Sequence, residues 1–172
     1  AGLAAAKVNV FLRQLVEKSG GVATVGCIEF KPNAINVIPS KAVFTVDLRN
    51  PDKEKLDNDE KILAAYLKDL AKEDDVKIST EHLTEFDPVP FDEGIVEKVE
   101  KAAKAHGLSV RRITSGAGQD AQMIARICPT AMIFVPSVKG ISHNPEEYTK
   151  DEDVLAGAGV FLDVVMDRFS AD

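Results

Sequence analysis

The sequence predicts a mixed chain in two parts, an α+β module over residues 1–86 and an α/β unit over 87–172. Three observations carry this. Apolar residues recur at helical spacing in some segments and alternate at strand spacing in others. The elements run helix, strand, strand, helix, strand in the first part and helix, strand, helix, strand, helix in the second. Between them, Asp87-Pro88-Val89-Pro90 resists any regular element, because proline fixes φ and lacks an amide donor.

The first helix carries Leu3, Val8, Leu12, Leu15 and Val16 and stops at Gly20-Gly21, a favoured helix end. It opens with no capping residue ahead of it, so the chain is expected to be a fragment of something longer. A strand is predicted over Val22 to Phe30, then a turn through Lys31-Pro32-Asn33-Ala34-Ile35-Asn36. The next strand sets Ala42, Phe44, Val46 and Leu48 on one face and Thr45, Asp47 and Arg49 on the other. A helix from Asp57 to Lys72 aligns Ile62, Leu63, Tyr66, Leu67 and Leu70, and Val76, Ile78 and Thr80 suggest a last strand. Two helices on one face of a small antiparallel sheet bury these stripes most economically. The result is a ferredoxin-like module lacking its first strand or strands.

In the second part, Ile95, Val99, Ala102 and Ala103 mark a helix, Leu108 to Ile113 a strand, and Ala121 to Ile127 a short helix. The run Ala131-Met132-Ile133-Phe134-Val135 is apolar throughout, as in a strand covered on both sides. The last helix begins with a capping box, Thr149 and Glu152, and is expected to bury Val154, Leu155, Phe161, Leu162 and Val165.

A hydrophobic share of 45% supports a real core, while the net charge of −7 disfavours nucleic acid and anionic membranes as partners. With no apolar run of spanning length and no signal-like start, a soluble, cytoplasmic chain is expected. Cys27 and Cys128 lie in apolar contexts and read as buried, reduced thiols.

Chemistry concentrates between Thr114 and Thr149. Gly116-Ala117-Gly118, ahead of a helix near Asp120, could direct backbone N–H groups at an anion or carbonyl oxygen; taken alone, an ordinary glycine turn is the stronger reading. Ser115 is rejected as a nucleophile, because the GxSxG elbow is absent. His143 stands in a loop shortly before Pro145, but a metal site needs three or four converging donors and the chain has no second histidine at ligand spacing. His82 and His106 read as surface residues. Arg49, at a strand end, suits bidentate carboxylate binding, and its competing reading is a surface pair with Asp47.

Ser115-Gly116-Ala117-Gly118-Gln119-Asp120-Ala121 and Gly140-Ile141-Ser142-His143-Asn144-Pro145 resemble the signatures of zinc-dependent amidohydrolases that cleave N-carbamoyl-amino acids, ureidopropionate and allantoate. The second loop matches in full; the first has Gln119 where the family usually has histidine. Pro32 to Pro39 and Phe44 to Arg49 resemble the same family's lid, or dimerisation, domain.

The resemblance implies that residues 1–86 are that lid, incomplete at its start, and that 87–172 are the C-terminal portion of a zinc-peptidase-like α/β catalytic domain. It implies a small carboxylate substrate held by Asn36, Arg49 and Gly118, and an oxyanion position at Gln119, whose amide donates but cannot carry charge or transfer a proton. It implies His143 as one ligand of a site for two divalent ions, zinc first, with manganese, nickel or cobalt as alternatives. The other ligands and the glutamate base lie outside this chain, which alone is expected to be inactive. The implied mechanism is attack of a metal-activated water on the carbamoyl carbon, with lid closure hinged near Asp87 to Pro90. A homodimer through the lid is implied as well. The alternatives are a peptidase or aminoacylase of the same superfamily, or a non-catalytic dimerisation fragment.

Overall fold

The computed structural model describes residues 1–169 and divides into two compact units, Ala1–Pro88 and Val89–Asp172. Helices and small sheets share the chain, as the sequence predicts.

The first unit opens with α1 (Gly2–Ser19), which ends as Gly20 turns left-handed at φ 80° and donates its N–H to the Val16 carbonyl. Glycine enters that region without the steric cost other residues carry. α1 buries Ala4, Ala5, Val8, Leu12, Leu15 and Val16, whereas Leu3, placed by spacing on the same stripe, is exposed. α2 (Lys53–Glu73) starts four residues earlier than the apolar stripe alone indicates. Its start is set by Asp52, whose carboxylate accepts from the N–H groups of Glu54 at 3.0 Å and Lys55 at 3.2 Å. The core joins Ala4, Val8 and Leu12 of α1 to Leu70 of α2, with Phe44, Leu63, Tyr66 and Leu67 packed around them. Phe11 and Tyr66 stack with ring centroids 3.7 Å apart.

Against these helices lies an antiparallel ribbon. β1 (Val22–Thr24) pairs with β4 (Asp47–Arg49), and β2 (Ile28–Lys31) pairs with β3 (Lys41–Phe44). The two pairings belong to one long hairpin interrupted by a bulge. Three residues, Val25 to Cys27, stand opposite two, Thr45 and Val46, so the register slips by one residue between the pairs. The Thr45 N–H still reaches the Cys27 carbonyl at 3.1 Å. Both predicted strands are therefore present, each broken at the bulge. Ala23, Ala42, Phe44 and Leu48 face inward, while Val22, Val43 and Asp47 face out; Val46, expected inward, is exposed at the bulge.

The last strand predicted for this unit does not form. Val76 and Ile78 pack against the core and Lys77 and Ser79 face out, so the alternation read from the sequence holds as far as Ser79, while Thr80 is exposed. The segment is extended without a partner strand; alternation reports burial and not pairing.

In the second unit, Asp92 caps α3 (Glu93–Ala105) by accepting the Ile95 N–H at 2.9 Å. α4 (Asp120–Ile124) is a single turn, shorter than predicted, and α5 (Asp151–Phe169) packs along α3. Gly159 of α5 faces the His106 ring, and His106 pairs with Asp163 at 2.8 Å and Lys98 with Asp167 at 2.8 Å. α5 begins one residue later than the capping box implies: the Lys150 carbonyl accepts its first amides, from Asp153 and Val154.

Several further expectations are overturned. No strand forms over Leu108–Ile113 or Ala131–Val135, and Phe134 and Val135 are exposed. A strand needs a hydrogen-bonded neighbour, and the described residues provide none. α5 buries Val160 and half-buries Val165, yet Val154, Leu155 (72% exposed), Phe161 (62%) and Leu162 face out. Cys27 and Cys128 are free, as expected, but both are exposed: one sits in the ribbon bulge, the other just past the α4 turns. Among the described residues, no helix is long and apolar enough to cross a membrane.

Candidate functional site

Arg49 ends β4 and is half-exposed. Its guanidinium forks onto Asp47, with Nε donating to Oδ1 at 2.7 Å and Nη2 donating to Oδ2. The hydrogen bond from Arg49 holds the Asp47 carboxyl below its ordinary range, against the opposing pull of partial burial. In return, the Asp47 bond raises the Arg49 pKa. The surface pair considered for Arg49 is thus present, and the fork shows the bidentate geometry that a carboxylate ligand needs.

Asn36 is exposed in the turn at the far end of the ribbon. The chain does not bring it to Arg49. Gly2, at one end of α1, lies against the Pro39 ring beside that turn, while Gly21, just past the other end, lies against the Arg49 carbonyl. A helix of 18 residues spans about 27 Å, so the two predicted carboxylate binders are separated by roughly that length.

In the second unit, the Ser115 hydroxyl is tied to the backbone of Ala117, with its oxygen 3.3 Å from both the amide nitrogen and the carbonyl oxygen. Gln119 occupies the N-cap position of α4 in extended conformation (φ −139°, ψ 153°), with no side-chain cap bond, and is exposed. Gly118 is exposed as well. Because α4 has only five residues and carries Asp120 in its first turn, its helix dipole adds little pull on an anion. The exposed Gln119 amide is the side-chain donor at this turn.

His143 sits near the apex of a loop leaving the 3-10 turn Val138–Gly140. The loop is pinched at its base where the Val138 N–H donates to the Tyr148 carbonyl at 2.8 Å. Its backbone is left-handed, φ 55°, a rare state for a residue with a side chain. The amide is held by Glu147, whose Oε2 accepts at 3.0 Å. Sequence reasoning did not find this conformation or Glu147; an Asn-Pro pair such as Asn144-Pro145 favours a turn but does not set the handedness of the residue before it.

A metal ion needs several converging donors. Among the described residues, no three His, Cys, Asp or Glu side chains come together to hold one. His143 is a single exposed donor, and the described residues do not by themselves build a metal site.

The family model described as peptidase family M20/M25/M40 matches residues 3–167. The chain belongs to this family. Within it, the N-carbamoyl-L-amino-acid amidohydrolase of Rhizobium meliloti is 40% identical over 169 residues, covering 97% of this chain and 41% of that protein. The allantoate amidohydrolase of Escherichia coli is 38% identical over 136 residues, covering 79% of this chain and 33% of that protein. The crystal structure of a hydantoinase/carbamoylase family amidase from Burkholderia multivorans superposes with a TM-score of 0.92 at 38% identity, covering 98% of this chain and 41% of that one. The chain thus spans about two fifths, or less, of the length of these family members.

Proposed function

We propose that these residues form the carboxylate-binding lid and part of the catalytic rim of an amidohydrolase that cleaves the linear C–N bond of N-carbamoyl-L-amino acids or close ureido analogues. The observation that carries this reading is the alignment of nearly the whole chain with the Rhizobium N-carbamoyl-L-amino-acid amidohydrolase. Arg49 is assigned to the substrate carboxylate. To bind it, the guanidinium exchanges the Asp47 oxygens for those of the substrate, keeping the same two-pronged geometry. Asn36, roughly a helix length from Arg49 in the same chain, does not share that carboxylate within one copy of the chain. Gln119, beside Gly118, is assigned to the oxyanion that forms as the carbonyl carbon becomes tetrahedral, with its NH2 group donating and its charge remaining zero.

Members of this family are generally metal-dependent. His143 is the donor proposed from this chain, for one of two divalent ions with zinc first among them, and the remaining donors come from outside these 172 residues. A cytoplasmic enzyme is proposed. The test is a side-by-side assay of N-carbamoyl and N-acetyl amino acids with a chain of full family length. Preference for the carbamoyl compounds is expected. Preference for acetyl compounds or dipeptides overturns the reading in favour of an aminoacylase or peptidase.

The proposed protein partner is a second copy, paired through the first unit. Support comes from the outer face of α1, where Leu3 and Val10 are exposed beside Phe11. Sedimentation over a concentration series tests it, and a strict monomer contradicts it.

A further inference from the structure

We propose that Glu147 is the positioning residue of the His143 loop: its carboxylate holds the His143 backbone left-handed and so fixes where the imidazole is presented. The loop passes through Gly140 at φ 68° and reaches His143 at φ 55°. In that region Cβ crowds the following carbonyl, so a histidine there, like Lys139 at φ 60° in the same loop, carries a steric cost that a supporting hydrogen bond offsets.

Three hydrogen bonds form the support. The Asn144 side chain accepts from the Glu146 N–H at 2.9 Å, and the Asn144 carbonyl accepts from the Glu147 N–H at 2.9 Å. These two turn the chain back on itself and bring residue 147 beside residue 143. The third closes the turn, from the His143 N–H to Glu147 Oε2 at 3.0 Å. Of the three, only this bond engages His143 itself, and its acceptor is a carboxylate, which binds an amide more strongly than a neutral oxygen does. Glu146, its neighbour, makes its contact through the backbone alone and serves as an internal control.

The consequence for ligand geometry rests on the proposal that His143 is a metal donor; the backbone role of Glu147 does not. The experiment is NMR on the 15N-labelled chain, reading amide exchange and the three-bond HN–Hα coupling at His143. In Glu147→Ala, exchange at His143 is expected to rise at least ~10-fold, as for a local opening, and the coupling to leave its left-handed value. Protection of the Val138 amide, retained in this variant, reports that the base of the loop stays closed. Glu147→Gln keeps an acceptor oxygen at the same reach without the charge and is expected to restore both signals in part. Unchanged signals in Glu147→Ala, failure of Glu147→Gln to restore them even in part, or an equal change in Glu146→Ala overturns the proposal. Metal content of a full-length His143→Ala variant tests the donor reading separately. Full metal retention there sinks that reading and leaves the Glu147 assignment standing on its backbone signals.

Discussion

Arg49 and Asp47, two residues apart on β4, are joined by a two-pronged fork in which the arginine presents the face that a bound carboxylate would use. If Arg49 binds the substrate carboxylate as proposed, Asp47 is both a rest position for the guanidinium and a competitor of the substrate. Replacing it with alanine in a full-length enzyme is expected to lower KM for a carboxylate substrate by up to about five-fold. That limit corresponds to the ~1 kcal/mol ceiling of an exposed ion pair. A raised KM means Asp47 orients Arg49 more than it competes.

The same pair sets a pH dependence. The Asp47 pKa is lowered on folding, chiefly by the hydrogen bond from Arg49. Its contribution to stability is therefore fully present above the unfolded carboxylate value of about 3.9 and is lost as pH falls through the lowered folded value. Because both groups are about half exposed, the loss is expected to be ~0.2–1 kcal/mol. Denaturation of wild type and Asp47→Asn at pH 7 and at pH 2 checks it: the difference between them shrinks at the lower pH.

Two packing predictions test the first unit. Leu12 is 2% exposed and lies in the core, so Leu12→Ala is expected to cost about 2–5 kcal/mol in thermal or denaturant unfolding. A Cβ added at Gly21 would sit 2.6 Å from the Arg49 carbonyl oxygen. Gly21→Ala is therefore expected to destabilise by roughly 1–3 kcal/mol and to shift the Arg49 amide signals, since backbone must move.

Much of the first unit was legible because its signals are local. Helical spacing located α1 and α2, Gly20-Gly21 marked a stop, and alternation put Ala42, Phe44 and Leu48 inward. The bulge opposite Thr45 and Val46 was not legible, because register depends on which residue meets which across the ribbon. The same limit explains Val76–Thr80, Leu108–Ile113 and Ala131–Val135: an apolar run records a wish to be covered, and pairing depends on a neighbour distant in sequence. Residue types at the candidate site were likewise visible, including Arg49, Gln119 and His143. Their arrangement was not: neither the helix-length gap between Asn36 and Arg49 nor the left-handed His143 is written in local composition.

Gln119 carries its own prediction. As a neutral donor it can stabilise an oxyanion but adds no titrating group. Gln119→His in a full-length enzyme is expected to raise kcat about ten-fold with little change in KM, and to add an ionisation near pH 6.5 to the kcat profile. An unchanged profile removes Gln119 from the oxyanion position.

The central claim is tested most directly at Arg49. Full-length wild-type and Arg49→Met enzymes would be assayed on an N-carbamoyl amino acid and on the same compound with its carboxylate converted to an amide. A carboxylate-binding Arg49 predicts that the variant loses about 100-fold or more in kcat/KM on the acid, equivalent to ~2.7 kcal/mol, and little on the amide. Equal losses on both compounds, or none on either, contradict it.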